Sequence, residues 1–145
     1  MNEREKLEQG SYESLGAMMQ AYAETAVRVA KEEFKQKLDF SEESIEVLEE
    51  ILAMVAEKEP GTDMEYDVRI WGGYFGEVLR RRYAGEWEMT QYPGGVASVP
   101  ALDVRGSRLF PLMKVYRRLT MGESEEIGSF FHMVTGRLGG PSQVN

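Results

Sequence analysis

The sequence predicts an α+β fold with three N-terminal helices, a small antiparallel three-stranded meander and two C-terminal helices. Helix-period apolar patterns fill residues 12–83 and 111–138, whereas strong turn sequences separate short strand-like runs in residues 86–110. Because helices and strands are segregated along the chain, an alternating βαβ arrangement is disfavoured. The meander is too small to be stable alone, so we expect helices to cover one of its faces.

The first two helices differ in how clearly their ends are marked. Apolar residues at roughly helical spacing predict one long amphipathic helix over Tyr12–Leu38. The second helix has a favourable N-cap at Ser41, with Phe40 and Ile45 spaced as a hydrophobic staple. Pro60-Gly61 is expected to end it.

The third helix contains the stretch WGGYFGEVLRRR, residues 71–82. A capping-box pattern predicts that it starts near Thr62, and Gly85 is expected to stop it after Tyr83. The glycines at 72, 73 and 76 lie well inside the helix without a preceding strand or a Walker lysine, which argues against a phosphate loop. Each interior glycine costs about 0.5–1 kcal/mol relative to alanine. We therefore predict close approach of a neighbouring helix, with approach of a ligand as the alternative.

Strands are predicted at Glu86–Gln91, Ala97–Val104 and Ser107–Phe110. The first two are separated by the turn sequence YPGG, and the last two by Arg105-Gly106. The meander is thus expected to pair in sequence order.

Two further helices complete the predicted domain. Pro111 is well placed at the first position of the fourth helix, which Gly122 closes, and Ser124 is expected to begin the fifth. We predict a single α+β domain over residues 1–138 and a flexible tail over 139–145.

Composition excludes several kinds of site. The chain has no cysteine, which excludes disulfides, thiolate zinc sites and cysteine nucleophiles. Its one histidine, His132, is predicted to be solvent-exposed, and without a second histidine no zinc or di-iron helix site is expected. We expect no metal, no cofactor, no signal peptide and no membrane span, and hence a soluble cytoplasmic protein.

The net charge of −8 argues against nucleic acid as the main partner. Residues 1–67 carry 18 acidic and 7 basic groups (net −11), whereas residues 68–145 carry 7 acidic and 10 basic groups (net +3). One interpretation is internal neutralisation; the other is an arginine-bearing patch that receives an acidic partner or ligand. Arg80–Arg82 with Arg117-Arg118 is the best candidate for such a patch, and the glutamates of the second helix are expected to form a solvated face.

Glu77 is the main candidate for a functional carboxylate. Arg81 follows four residues later, in the favourable order for an intrahelical ion pair. The structural interpretation is a partly buried carboxylate paired with Arg81, or with Arg117 and Arg118. The functional alternative is a carboxylate in a pocket lined by aromatic residues of the same helix.

Trp87, on the first strand, is expected to be exposed, as aromatic residues that anchor interfaces often are. No residue is assigned a catalytic role. The candidate ligand- or partner-binding residues are Trp71, Tyr74, Glu77, Arg81, Arg117 and Trp87.

The pattern G-x-Y-F-G-E-V-L-R-R from Gly72 to Arg81, followed by Gly85-Glu86-Trp87-Glu88, resembles small bacterial domains of unknown function. In those domains a similar glycine-aromatic-glycine-glutamate helix precedes a short sheet, and a proline-started helix comes after it. The resemblance covers about residues 40–131. It implies the α+β layout and supplies no catalytic residues.

The first functional hypothesis is a non-enzymatic protein-binding module, of immunity type or regulatory. The second is a small anionic-ligand-binding protein, or a carboxylate-based enzyme that uses Glu77 and nearby arginines. The third is a subunit that forms a homodimer through its long first helix.

Overall fold

The computed structural model describes residues 12–58 and 63–141, and these contain five α-helices and one three-stranded antiparallel sheet in the predicted order. The predicted α+β fold is confirmed. The helices are α1 (Leu15–Phe34), α2 (Ser44–Ala56), α3 (Met64–Tyr83), α4 (Pro111–Met121) and α5 (Ile127–Leu138), and the strands are β1 (Glu86–Gln91), β2 (Ser98–Val104) and β3 (Ser107–Leu109).

Helix α1 is shorter at both ends than the predicted Tyr12–Leu38. The Ser14 hydroxyl accepts a hydrogen bond from the Ala17 N–H at 3.0 Å and caps the start. The helix ends at Phe34 because Lys35 adopts the left-handed conformation, with φ 55°. Leu38 is buried, but from the connecting coil rather than from the helix.

Helix α2 begins at Ser44, later than the N-cap predicted at Ser41. The Ser41 hydroxyl accepts from the Ser44 N–H at 3.1 Å, and the Asp39 carboxylate accepts from the Ser41 N–H, also at 3.1 Å. These short-range bonds close a turn before the helix starts. The predicted stop at 60–61 lies outside the described residues.

Helix α3 occupies the centre of the fold, and every residue from Ile70 to Leu79 is buried. The Asp63 side chain accepts from the Tyr66 N–H at 3.2 Å and caps its start; residue 62 lies outside the described residues. The helix ends at Tyr83 as predicted, although Ala84, rather than a glycine, takes the left-handed conformation.

The three glycines of α3 mark close contacts on different sides. A Cβ atom at Gly72 would lie 2.8 Å from the Leu112 Cα of α4, and one at Gly73 would lie 2.9 Å from the Tyr22 Cβ of α1. The predicted approach of neighbouring helices is confirmed at these two positions. At Gly76 a Cβ would overlap the Trp87 indole of β1 and would lie 3.2 Å from the Pro111 Cγ at the start of α4, so a strand side chain makes the closer approach there.

The sheet pairs in the order β1-β2-β3, with bounds within one residue of those predicted. Leu102 and Val104 of β2 are buried, whereas Asp103 between them is exposed. The two-residue turn Arg105-Gly106 has positive φ at both positions, which is a type I′ hairpin.

The C-terminal helices close the core. Pro111 starts α4 and Gly122 ends it, as predicted. The fifth helix begins at Ile127 instead of Ser124, because Glu123–Glu125 form a short 3₁₀ turn. Ile127, Phe131 and Val134 are its buried residues.

The segment after α5 is hydrogen-bonded to the rest of the fold. The Tyr83 hydroxyl donates to the Gly139 carbonyl at 3.0 Å, and the Arg105 guanidinium donates to the Leu138 and Gly140 carbonyls. The predicted flexible tail therefore begins with anchored residues, and its remainder, 142–145, lies outside the described residues.

Candidate functional site

The Glu77 side chain is completely buried, and both of its oxygens have partners. Arg80 binds it through two bonds, Nε to Oε2 at 2.6 Å and Nη2 to Oε1 at 3.1 Å. The Trp87 indole N–H donates to Oε2 at 2.9 Å. Such a carboxylate acts as a fixed acceptor that ties α3 to β1.

Of the arginines predicted to pair with Glu77, Arg81 forms that ion pair, whereas Arg117 and Arg118 do not. The Arg81 Nε lies 3.7 Å from Glu77 Oε1, and its guanidinium lies 3.6 Å from the centre of the Phe40 ring. Arg118 is buried and pairs with Glu49 at 2.9 Å, whereas Arg117 donates to the Tyr92 hydroxyl. The expected pairing with Arg117 or Arg118 is wrong, because α4 directs these side chains elsewhere.

Trp87 is half-buried instead of exposed as predicted. Its indole ring fills the space that the missing side chain of Gly76 leaves, and its N–H reaches the neighbouring Glu77. Three features of the sequence that looked separate therefore form one contact between helix and sheet.

Tyr74, Trp71 and Glu77 are all buried, and each has its own contacts among the described residues. The Tyr74 hydroxyl accepts from the Phe40 N–H at 2.8 Å and shares a hydrogen bond with the Ser44 hydroxyl at 2.6 Å. Burial raises the pKa of Tyr74 above its ordinary value. Trp71 is buried with its ring edge-on to Phe34, at 5.9 Å between centroids.

One buried carboxylate was missed by sequence reasoning. Asp67, in the first turn of α3, is 7% exposed, and burial raises its pKa although the charge of Lys58 opposes the change. Its position on the turn that follows Asp63 gave no signal of burial, since charged residues near a helix start are usually solvated.

A surface groove lies between β3 and the helices α4 and α5. Two adjoining depressions, of about 190 and 360 Å³, share Arg108, Leu109 and Phe130 in their walls. The smaller extends towards Arg117 on α4, and the larger extends along α5 past Met133. We call this surface the β3–α5 groove.

Cationic side chains surround the β3–α5 groove. Arg108 pairs with Glu88 at 2.7 Å and Lys114 pairs with Glu125 at 2.6 Å. Arg117 binds the Tyr92 hydroxyl, and Arg137 is exposed without an ion pair among the described residues. No carboxylate lines either depression within the described parts of the chain.

The apolar part of the groove is accessible. Leu109 and Phe130 are half-buried, and Met133 is 50% exposed. The Lys114 ammonium lies 5.6 Å from the centre of the Phe130 ring, so one wall combines charge with an aromatic face. The surface can therefore hold a group that carries both apolar and negatively charged parts.

The other sequence predictions concern the surface. His132 is exposed, as predicted. Among the glutamates expected to form a solvated face, those at positions 42, 43, 46 and 50 are also exposed. Glu49 is the exception, because it pairs with Arg118 and accepts from the Gly128 N–H at 3.3 Å.

Within residues 12–58 and 63–141, no group of three or more histidine, aspartate or glutamate side chains is arranged to hold a metal ion. In the same ranges, no helix has the length and apolar content needed to cross a membrane.

Comparison with known proteins adds no assignment: no family model, curated protein or solved structure matches the chain. The resemblance to small bacterial domains of unknown function stays a prediction.

Of the six candidate residues, Arg81 and Trp87 each contact Glu77, Tyr74 and Arg81 both pack against Phe40, and Arg117 lines the β3–α5 groove. Sequence reasoning missed Arg108, Phe130, Met133 and Arg137. The net charge of +3 over residues 68–145 was a signal for the two arginines, whereas the sequence held no signal for a binding role of Phe130 and Met133.

Proposed function

We propose that this protein is a non-enzymatic module that binds another protein, in an immunity-type or regulatory role. The observation that carries the proposal is the β3–α5 groove, where cationic side chains surround accessible apolar ones on a chain of net charge −8. Protein interfaces combine aromatic residues, methionine and arginine in this way. The overall negative charge opposes a polyphosphate partner, because nucleic acid requires an extended basic surface.

The environment of Glu77 supports a binding role over carboxylate catalysis. A general base must reach the proton of a bound substrate. Arg80 and Trp87 already occupy the Glu77 oxygens, and the side chain is buried. Glu77 thus belongs to the architecture of the fold in this proposal.

A small anionic ligand is the second candidate, and one observation favours it. Arg80 and Trp87 line a depression of about 420 Å³ beside the start of α1. Arg80 pairs with Glu77 but its side chain stays partly exposed, and an arginine at such a surface suits a carboxylate or phosphate group.

The test is affinity capture from a lysate of the source cells, followed by reconstitution of a complex from purified components. We expect one protein to form a complex of fixed stoichiometry, measured by light scattering on a sizing column. If no protein forms such a complex while titration calorimetry shows binding of inorganic phosphate or citrate, the small-ligand candidate replaces the protein-binding proposal.

A further inference from the structure

We propose that the β3–α5 groove receives an extended acidic segment of the partner protein, which pairs with the main chain of Arg108 and places an apolar side chain against Leu109 and Phe130. This inference rests on the proposed binding function and specifies its site and the chemistry of its ligand.

The free edge of β3 supplies the main-chain part of the site. Within the described residues, β3 is the last strand of the sheet. The type I′ turn makes Val104 and Ser107 a hydrogen-bonded pair, so the next pair, Asp103 and Arg108, does not exchange hydrogen bonds. The N–H and C=O of Arg108 therefore point away from β2. A segment in extended conformation can bind both groups, as in β-strand addition.

The cationic side chains of the β3–α5 groove favour an acidic ligand. Arg137 has no ion-pair partner in the described parts of the chain, and Arg117 is bound to a neutral hydroxyl. The carboxylates that pair with Arg108 and Lys114 lie outside the groove walls. Carboxylates of a partner would find two cationic groups without an ion pair among the described residues, Arg117 and Arg137, beside two that Glu88 and Glu125 already pair. Arginine binds carboxylates through two parallel hydrogen bonds.

The apolar wall of the groove favours a ligand that carries an apolar side chain between its carboxylates. Leu109, Phe130 and Met133 form an accessible apolar strip across both depressions. Methionine is flexible and polarisable, so Met133 can adapt to the side chain that it covers. An acidic segment without an apolar residue would leave this strip in water.

The groove is held open before any ligand arrives. Arg105, in the turn before β3, donates to the Leu138 and Gly140 carbonyls and so fixes the hairpin to the end of α5. At the other end, Lys114 of α4 pairs with Glu125 just before α5. A preformed site loses less conformational entropy on binding than one that must be ordered.

The test is selection of displayed random peptides on the folded protein, followed by fluorescence anisotropy with the selected sequences as synthetic probes. The key variant is Arg117→Glu/Arg137→Glu. The matched control is Lys31→Glu/Lys37→Glu, which changes the net charge equally at two exposed lysines that do not line the groove. Arg137→Glu alone is tested in parallel, since among the described residues it removes no side-chain hydrogen bond or ion pair.

We expect the selected peptides to carry Asp or Glu on either side of an apolar residue. The Kd should rise at least about 10-fold in Arg117→Glu/Arg137→Glu, several-fold in Arg137→Glu, and less than about 2-fold in the control, because close charge pairs couple more strongly than distant screened ones. Methylation of the peptide nitrogen that faces Arg108 should also weaken binding, since it removes a main-chain donor.

Four results would overturn this inference. The first is selection of peptides without acidic residues, and the second is equal binding by wild type and Arg117→Glu/Arg137→Glu. The third is a dimer in sedimentation velocity that only the groove variant abolishes, which would assign the groove to a second copy of the chain. Capture of the same partner by wild type and groove variant would reject this site and leave the binding function standing.

Discussion

Glu77 shows how one buried charge is tolerated. Removing its carboxylate leaves the Trp87 N–H unpaired, whereas Arg80, with a side chain 34% exposed, can turn to water. We expect Glu77→Ala to lower the free energy of unfolding by about 3 kcal/mol, and Glu77→Gln by about 1–2 kcal/mol because an amide oxygen can still accept from the indole.

Urea denaturation measures the free energy of unfolding of both Glu77 variants. Glu65→Ala is the control, because it removes an exposed glutamate from an ion pair on the same helix and should cost at most about 1 kcal/mol. A Glu77→Ala protein as stable as wild type would contradict the structural role of this carboxylate.

Tyr74 connects α3 to the start of α2 through its hydroxyl. Tyr74→Phe leaves the Phe40 N–H without its acceptor and the Ser44 hydroxyl without one partner. The variant should therefore lose about 1–3 kcal/mol of unfolding free energy, measured by urea denaturation. If the variant lost nothing, the buried hydrogen bonds of this hydroxyl would not stabilise the fold.

The glycines of α3 and α5 allow helix propensity to be separated from packing. Alanine favours a helix over glycine by about 1 kcal/mol. A Cβ atom at Gly136 of α5 would meet no neighbouring group within 4 Å, so Gly136→Ala should raise the melting temperature. Gly76→Ala should lower it, because the new methyl group would overlap the Trp87 indole.

Calorimetry compares the two alanine variants under one set of conditions. A stabilised Gly76→Ala protein would show that Trp87 does not pack on α3 at that point.

Asp67, in the first turn of α3, makes the stability of the fold depend on pH. The folded-state pKa lies above the ordinary value of 3.8, so between the two values the folded chain holds a proton that the unfolded chain has released. The contribution of Asp67 to the free energy of unfolding therefore falls as the pH rises through this window and is constant above it.

Asp67→Asn should remove this pH-dependent decrease in the free energy of unfolding. The variant should match wild type below pH 3.8 and be more stable than wild type at pH 7, as measured by urea denaturation at a series of pH values. Glu65→Gln, an exposed position on the same turn, is the control for loss of one negative charge. Equal pH profiles for wild type and Asp67→Asn would contradict the effect of burial.

Local signals predicted the elements well and the long-range contacts poorly. Turn sequences and the Pro111 start fixed the strand bounds and α4 within a residue, because backbone preferences act over a few positions. Lys35 and Ala84 end helices in the left-handed conformation, which their side chains disfavour, and their N–H groups bind the Ala30 and Arg80 carbonyls. Because neither residue is a glycine, the sequence did not mark these exact ends. The contact of Trp87 with Gly76 and Glu77 depends on how the sheet lies on α3, which no local pattern contains.

For the whole molecule, the uneven charge has two consequences. Part of it is neutralised internally, as the long-range pair of Glu49 with Arg118 shows. The remainder leaves cationic side chains around the β3–α5 groove, while the glutamates of α2 face solvent. Association with an acidic partner should therefore weaken as ionic strength rises, because salt screens exposed charges beyond about 8–10 Å.

Site-specific photo-crosslinking tests the central claim, that this protein binds a partner through the β3–α5 groove. A photoreactive amino acid replaces Met133 in the groove or, as the control, Met54 on α2, since both methionines are exposed. In the source lysate we predict one crosslinked protein from position 133, and its loss when Arg117→Glu/Arg137→Glu is added. The claim is contradicted by a partner that crosslinks from position 54 instead, or from position 133 regardless of the two arginines.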